Sequence, residues 1–436
     1  MIPSSFRLLL ALPALLLSAQ AGNWPQFRGP SGDGLAPDAN PPLDWAESRN
    51  VAWKTPIHDK GWSSPVVWGD TLWLTTATED GRRLFVLAVD RVTGKVVHDL
   101  ALFEANQSEV WKRYNSYASP TPVVEEGRVY VSFGEAATAC LDSKSGKVLW
   151  ERRDLHCNHY RGAGSSPVVH GDLLFLNFDG ADAQFVVALD KRTGKTVWKR
   201  ERSLDYRDLG PDGKPEAEGD FRKAFATVQV GRFDGVEHLV SQGAKAVYGY
   251  EPLTGRELWR IEERTSHSGG TRPVVGRGMV FLPTGWSQGQ TLAIRPGRSG
   301  EVLDVNAGSA TNSGALTLAW RSKRGTPKKP SLTLVGDLLI GIEDGGVATC
   351  WEAATGEVVW SERLGGNYSA SPVVAQGRLY CVGQDGNTVV VEASRTFRKL
   401  AENKLEEGCM ASPAVAGDSL FLRTKSFLYR LEGPAR

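Results

Sequence analysis

Short apolar runs with strand character, such as VVALD and KTVW, are separated along the whole chain by Gly, Pro, Asp and Ser. Runs of this kind predict β-strands joined by turns. One turn motif recurs as an acidic residue, two spacers, Ser or Thr, then Gly: Asp90 to Gly94, Asp142 to Gly146, Asp190 to Gly194, Glu251 to Gly255 and Glu352 to Gly356. A Trp follows the Gly by four residues in four copies (Trp150, Trp198, Trp259, Trp360), whereas the first copy has His98. The motif predicts a tight hairpin: the carboxylate accepts backbone N–H groups and Gly takes the left-handed conformation. The four Trp are expected to pack between repeats.

A second motif runs out of phase with the first, as a small residue, Pro and an apolar pair. Its anchors are Pro65, Pro122, Pro167, Val228, Pro273, Thr333, Pro372 and Pro413. Each is followed by a turn, two further apolar strands and usually the acidic turn, which makes four strands per unit and eight units. That repeat predicts an all-β, eight-bladed β-propeller of four-stranded antiparallel blades. The last unit stops after its third strand at Phe427 to Gly433, while a spare strand with Trp53 precedes the first anchor. The N-terminal strand is therefore expected to close the ring.

Composition agrees: 48 Gly, 23 Pro and 14 Trp against 3 Met favour many short elements. Lys plus Arg (51) nearly equals Asp plus Glu (50), which argues against nucleic acid as a partner. Residues 1–21 have the pattern of a secretory signal peptide, with Arg7, an apolar core from Leu8 to Leu17, and a small-x-small site at Ala19 to Ala21. The expected organisation is a signal peptide (1–21), a leader (22–50) and a propeller (51–436), in a monomeric periplasmic or secreted protein with no transmembrane segment. Five widely spaced cysteines lack a C-x-x-C, and buried single thiols are the favoured reading over disulfides. No metal site is expected from them.

The blade motif resembles that of the pyrroloquinoline-quinone (PQQ) propeller superfamily, whose repeats read A-x-D-x-x-T-G-x-x-x-W. The stretch from Trp24 to Gly34 resembles the leader of exported PQQ-like propellers of planctomycete type. The superfamily holds quinoprotein dehydrogenases and non-enzymatic scaffolds such as BamB, and a structural motif does not choose between them. The resemblance to the dehydrogenases implies an adjacent Cys-Cys pair and calcium ligands, and neither is recognisable here. C-x-x-C-H, H-E-x-x-H and P-loop motifs are also absent. A BamB-like lipoprotein implies an acylated Cys after the apolar run, which this chain lacks.

The expectation is thus a non-catalytic envelope scaffold without a cofactor, binding a protein or glycan. The alternative is a PQQ- and calcium-dependent dehydrogenase of alcohols or sugars. The links that lead into the inner strands share one face, and the longest run from Glu104 to Tyr117 and from Glu201 to Ala224. Aromatic and Arg side chains on such links suit partner binding, which singles out Trp62, Trp111, Tyr117, Tyr160, Arg161 and Tyr368. Structural roles fall to Trp53, Trp150, Trp198, Trp259 and Trp360, with Gly94, Gly146, Gly194, Gly255 and Gly356. His156 and His159 read as solvated or hydrogen-bonded rather than metal-ligating, and the basic run from Arg321 to Lys329 as a solvated loop.

Overall fold

The acidic turns close as their chemistry requires. Asp190 Oδ1 accepts the N–H groups of Arg192 (3.1 Å) and Thr193 (2.8 Å) and the Thr193 hydroxyl (2.8 Å). Asp90 and Asp142 repeat the pattern. The five turn glycines all have φ between 69° and 77°, where a side chain is strained. These turns join third to fourth strands in a computed structural model that describes residues 22–105, 115–298, 300–306 and 314–433.

The strands form eight antiparallel blades. Blade 3 is typical: Val168–His170, Leu173–Asp179, Gln184–Asp190 and Thr196–Glu201 pair in sequence order from the axis outwards. Short inner strands begin at Val66, Val123, Val168, Gln229, Val274, Thr333, Val373 and Ala414. By this register Leu332, not Thr333, occupies the anchor position of blade 6. That blade lacks the proline that marks most of the others, so the sequence left the offset ambiguous. Blade 8 takes its outer strand from the N-terminus, where Val51–Pro56 pairs antiparallel with Phe427–Glu432. Ring closure thus follows the expected route.

Most outer strands dock on the next blade's turn. Trp150 Nε1 donates to Lys191 O (2.9 Å), and a Cβ added at Gly194 would lie 2.6 Å from the Trp150 ring. Trp53 donates to Arg91 O, Trp198 to Pro252 O and Trp360 to Ser394 O in the same way. In the first repeat His98 Nε2 meets Lys144 O at 3.2 Å, with Gly146 against His98 and Leu100.

Trp259 departs from this scheme. It is fully buried, and its Nε1–H donates to His238 Nδ1 of its own blade. The outer edge of that blade is covered instead by an extra parallel strand, Glu301–Asp304. The docking tryptophan of blade 5 is Trp320, which donates to Ala353 O (2.9 Å) beside Gly356. Its turn lacks the acidic motif, which hid it in the sequence. All five cysteines are buried, unpaired thiols within these layers.

Candidate functional site

The residue before each anchor builds the axis. The backbone N–H of Ser64 donates to Thr121 Oγ1, Thr121 to Ser166, Ser166 to Thr227, Ser331 to Ser371, Ser371 to Ser412 and Ser412 to Ser64. Arg272 N–H donates to Ser331 Oγ. Seven hydroxyls thus encircle the axis at N···O distances of 2.8 to 3.1 Å. The belt is broken once, at blade 5, where Arg272 stands in place of Ser or Thr.

The leader seals one end of this channel. Trp24 pairs with Val67, Pro25 O accepts from Val124 N–H, and Gly34 O accepts from Val374 N–H. The leader therefore crosses inner strands on several sides of the ring. Arg28 and Arg272 anchor it from within. Arg28 donates to Pro372 O, Leu332 O and Thr333 Oγ1, and Arg272 donates to Phe27 O and Gln229 Oε1. Both guanidiniums are buried without a paired carboxylate, and burial lowers them to about 10 and about 9. Phe27 forms the floor of the remaining pocket, which has a volume of about 500 Å³.

The inner-strand links and one loop of blade 5 form the mouth. Asp220 arrives on the long link between blades 3 and 4, in a 3₁₀ stretch from Glu216 to Arg222. It accepts from Arg161 Nε (2.9 Å), Arg161 Nη2 (2.8 Å) and Tyr160 Oη (2.6 Å), and pairs with Lys223. Burial raises the Asp220 pKa, but these donors outweigh it and hold the carboxyl well below the usual range. The Asn115 amide pins the Arg161 loop by donating to Arg161 O, Gly162 O and Ala163 O. Lys328 sits over the Trp286 ring at 4.6 Å, and Lys329 pairs with Asp344 at 3.0 Å. His267 packs on Phe221, and burial lowers its pKa.

Of the residues singled out from the sequence, Trp62 and Arg161 line the pocket. Tyr160 lies behind them as a donor to Asp220, and Trp111 lies outside the described residues. Tyr117 and Tyr368 correct the expectation. They are 6% and 2% exposed, Tyr117 under Gly81 and Tyr368 in the core between blades 6 and 7, so neither offers a binding surface. His159 is buried against Phe225, its Nε2 on Ala224 O (3.1 Å) and its pKa lowered by burial to about 4. His156 is exposed, so the pair does not converge. The end of the basic run is not a free loop, because Asp344 accepts the Lys328 and Lys329 N–H groups and directs both residues to the pocket.

Sequence reasoning missed Asp220, Trp286, Phe27 and the hydroxyl belt. The belt was legible as the Ser or Thr preceding most anchors, whereas Asp220 and Trp286 lie in irregular insertions outside the blade repeat.

An eight-bladed ring with docking tryptophans and an axial pocket defines a PQQ-like propeller. A family model described as outer membrane protein assembly factor BamB matches residues 43–208 and 299–426, and the chain belongs to that family. Over 151 residues it is 27% identical to the quinoprotein ethanol dehydrogenase of Pseudomonas aeruginosa, covering 34% of this chain and 23% of that protein. Over 152 residues it is 30% identical to the dehydrogenase subunit of the alcohol dehydrogenase (quinone) of Acetobacter aceti, covering 32% and 19%. The matched stretch is thus about a fifth of these relatives' length. Among solved structures, the quinohemoprotein alcohol dehydrogenase of Comamonas testosteroni superposes with a TM-score of 0.66 at 13% identity, over 97% of this chain and 82% of that one. BamB of Moraxella catarrhalis gives 0.56 at 12% identity, over 87% and 99%. These superpositions share the fold.

Proposed function

We propose that this protein is an exported, non-catalytic scaffold that captures a protein or glycan partner in the cell envelope at the mouth of its axial pocket. The observation that carries this reading is the state of Asp220. It is the one carboxylate lining the pocket among the described residues, and Arg161, Tyr160 and Lys223 occupy it. A carboxylate so engaged positions a binding surface and is poorly placed to take a proton from a substrate. Trp62 and Arg161 are the contact residues this reading uses, with Tyr160 orienting Asp220 behind them.

A quinone–calcium pair does not fit the donors present. Calcium needs several convergent oxygens, and no cluster of three or more His, Cys, Asp or Glu occurs among the described residues. The cysteines are buried singly, without the adjacent pair that the dehydrogenase resemblance implies. The dehydrogenase reading is favoured by the names of the curated relatives.

One experiment separates the two. The purified protein is incubated with PQQ and Ca²⁺, freed of excess quinone by gel filtration, and assayed for dye reduction with a panel of alcohols and aldoses. Neither retained quinone nor turnover is expected. Stoichiometric quinone with turnover would overturn the scaffold reading. Export is checked separately: N-terminal sequencing of the envelope fraction should find a chain beginning after Ala21.

A further inference from the structure

Each hydroxyl of the axial belt accepts one backbone N–H, which engages one of its two lone pairs, and its own proton remains to be donated. No acceptor for these protons occurs among the described residues, and six of the seven hydroxyls (Ser64, Thr121, Ser166, Thr227, Ser371, Ser412) line the pocket. The wall is therefore an array of convergent hydroxyls, each with a proton to donate and a second lone pair beside it. At the mouth, the Trp62 Nε1–H is buried with no partner among the described residues.

The charge around the pocket has the matching sign. Arg161, Lys328 and Lys329 line the mouth, against the carboxylates of Asp220, which pairs with Arg161, and Asp344, which pairs with Lys329. Beneath the floor lie Arg28 and Arg272, and behind Ser63 lies Arg423, whose guanidinium is bonded, among the described residues, only to Ser63 and Thr75. Arg423 is 1% exposed, with Nε and Nη2 unpartnered. Three buried guanidiniums against the one nearby carboxylate of Asp33 make the enclosed space electropositive, and a cavity with low-dielectric walls concentrates that field.

We infer that the axial pocket binds an acidic saccharide, a sugar chain bearing carboxylate or sulfate groups, with its acid and ether oxygens on the hydroxyl belt. This rests on the scaffold reading and names the partner's chemistry. An acceptor-rich ligand suits a donor wall, and a volume of about 500 Å³ accommodates a short oligosaccharide. The indoles of Trp62 and Trp286 at the mouth offer apolar faces for the C–H faces of sugar rings. An acidic peptide fits less well, because a saccharide carries more acceptor oxygens per unit length to meet the belt protons, and the one carboxylate lining the pocket among the described residues is occupied.

The test is calorimetric titration of the purified protein with an oligogalacturonate and with a sulfated galacto-oligosaccharide. Each is compared with its neutral parent (methyl-esterified or desulfated), and oligoglutamate and PQQ serve as further arms. Both acidic sugars, or one of them, should bind at least about tenfold more tightly than the neutral parent, as expected for charge-assisted hydrogen bonds. Binding should weaken as salt rises. Lys328→Ala and Ser166→Ala should each weaken it about tenfold, with melting temperature confirming the fold. Lys399→Ala, on an outer strand, should leave it unchanged.

Equal affinity for acidic and neutral sugars would overturn the charge assignment and leave the scaffold reading intact. Oligoglutamate binding as tightly as the sugars would overturn the saccharide assignment. Full affinity in both Lys328→Ala and Ser166→Ala, or no saccharide binding at all, would overturn the inference as a whole. PQQ binding with calcium-dependent turnover would overturn the scaffold reading as well.

Discussion

Docking of each Trp on a turn glycine can be measured by a matched pair of substitutions in blade 3. Gly194 and Gly171 both have positive φ, +71° and +58°, so replacing either by Ala incurs a similar backbone strain of about 1 kcal/mol. Their surroundings differ. A Cβ at Gly171 meets nothing within 4 Å, whereas one at Gly194 lies 2.6 Å from Trp150 Cε3 and 2.7 Å from Cδ2. The indole must withdraw, which breaks its hydrogen bond to Lys191 O at 2.9 Å and loosens its contact with Tyr130 at 6.1 Å between centroids. Each loss is worth about 1 kcal/mol. Gly171→Ala should therefore cost about 1 kcal/mol and Gly194→Ala about 3 kcal/mol. Urea unfolding followed by tryptophan fluorescence and circular dichroism reads the difference as a shift in midpoint at unchanged slope. Equal losses in the two variants would refute the claim that the turn glycine is kept clear for the indole.

Three further outcomes follow from the same contacts. Asp179 and Arg202 form a buried bidentate pair with side chains 0% and 1% exposed, so Asp179→Ala should cost about 3–5 kcal/mol in urea unfolding, and Asp179→Leu with Arg202→Met distinctly less. The folded Asp220 carboxyl is held below its unfolded range, so its stabilisation is present above about pH 4 and is lost as pH falls; thermal melts between pH 3 and 7 should show a shallower acid slope for Asp220→Asn than for wild type. Deleting residues 22–57 removes both the leader and the closing strand, and the product should lose cooperative unfolding; a truncated chain melting as late as the intact one would rule out closure by Val51–Pro56.

The architecture was legible because the propeller writes its rules locally. An acidic turn, a glycine and a docking Trp all fall within one hairpin, so counting them gave the blades and the spare strand gave the closure. The same reliance on local pattern explains the misses. In blade 5 an insertion separates the third strand from the fourth, so the docking role of Trp320 could not be read from its turn, and Trp259 kept the motif while an extra strand changed its environment. Tyr117 and Tyr368 carried the right chemistry on the right links, but a tyrosine at the end of a link can turn into the core as readily as outwards. That choice is made by neighbouring blades, such as the Gly81 backbone that accepts the Tyr117 ring.

A ring of near-identical blades offers a ligand on its axis no reason to prefer one orientation. The hydroxyl belt, which repeats faithfully, can therefore supply affinity but little direction. Direction has to come from positions where the repeat fails, and here those positions gather on one side. The charged lining residues Arg161, Asp220, Lys328 and Lys329 and the neutral His267 all come from the links that enter blades 3 to 6, and Trp286 comes from an insertion in blade 5. The links entering blades 1, 2, 7 and 8 contribute Trp62, Asn115, Ser119, Ser369 and Met410, none of them charged. Arg272, the break in the belt, lies on the charged side as well. A ligand with one acidic end and one neutral end would thus be held in a single orientation, acid towards blades 3 to 6. The departures from repeat symmetry are where this propeller differs from a generic ring, and on the proposed reading they are what would set the direction of a bound ligand.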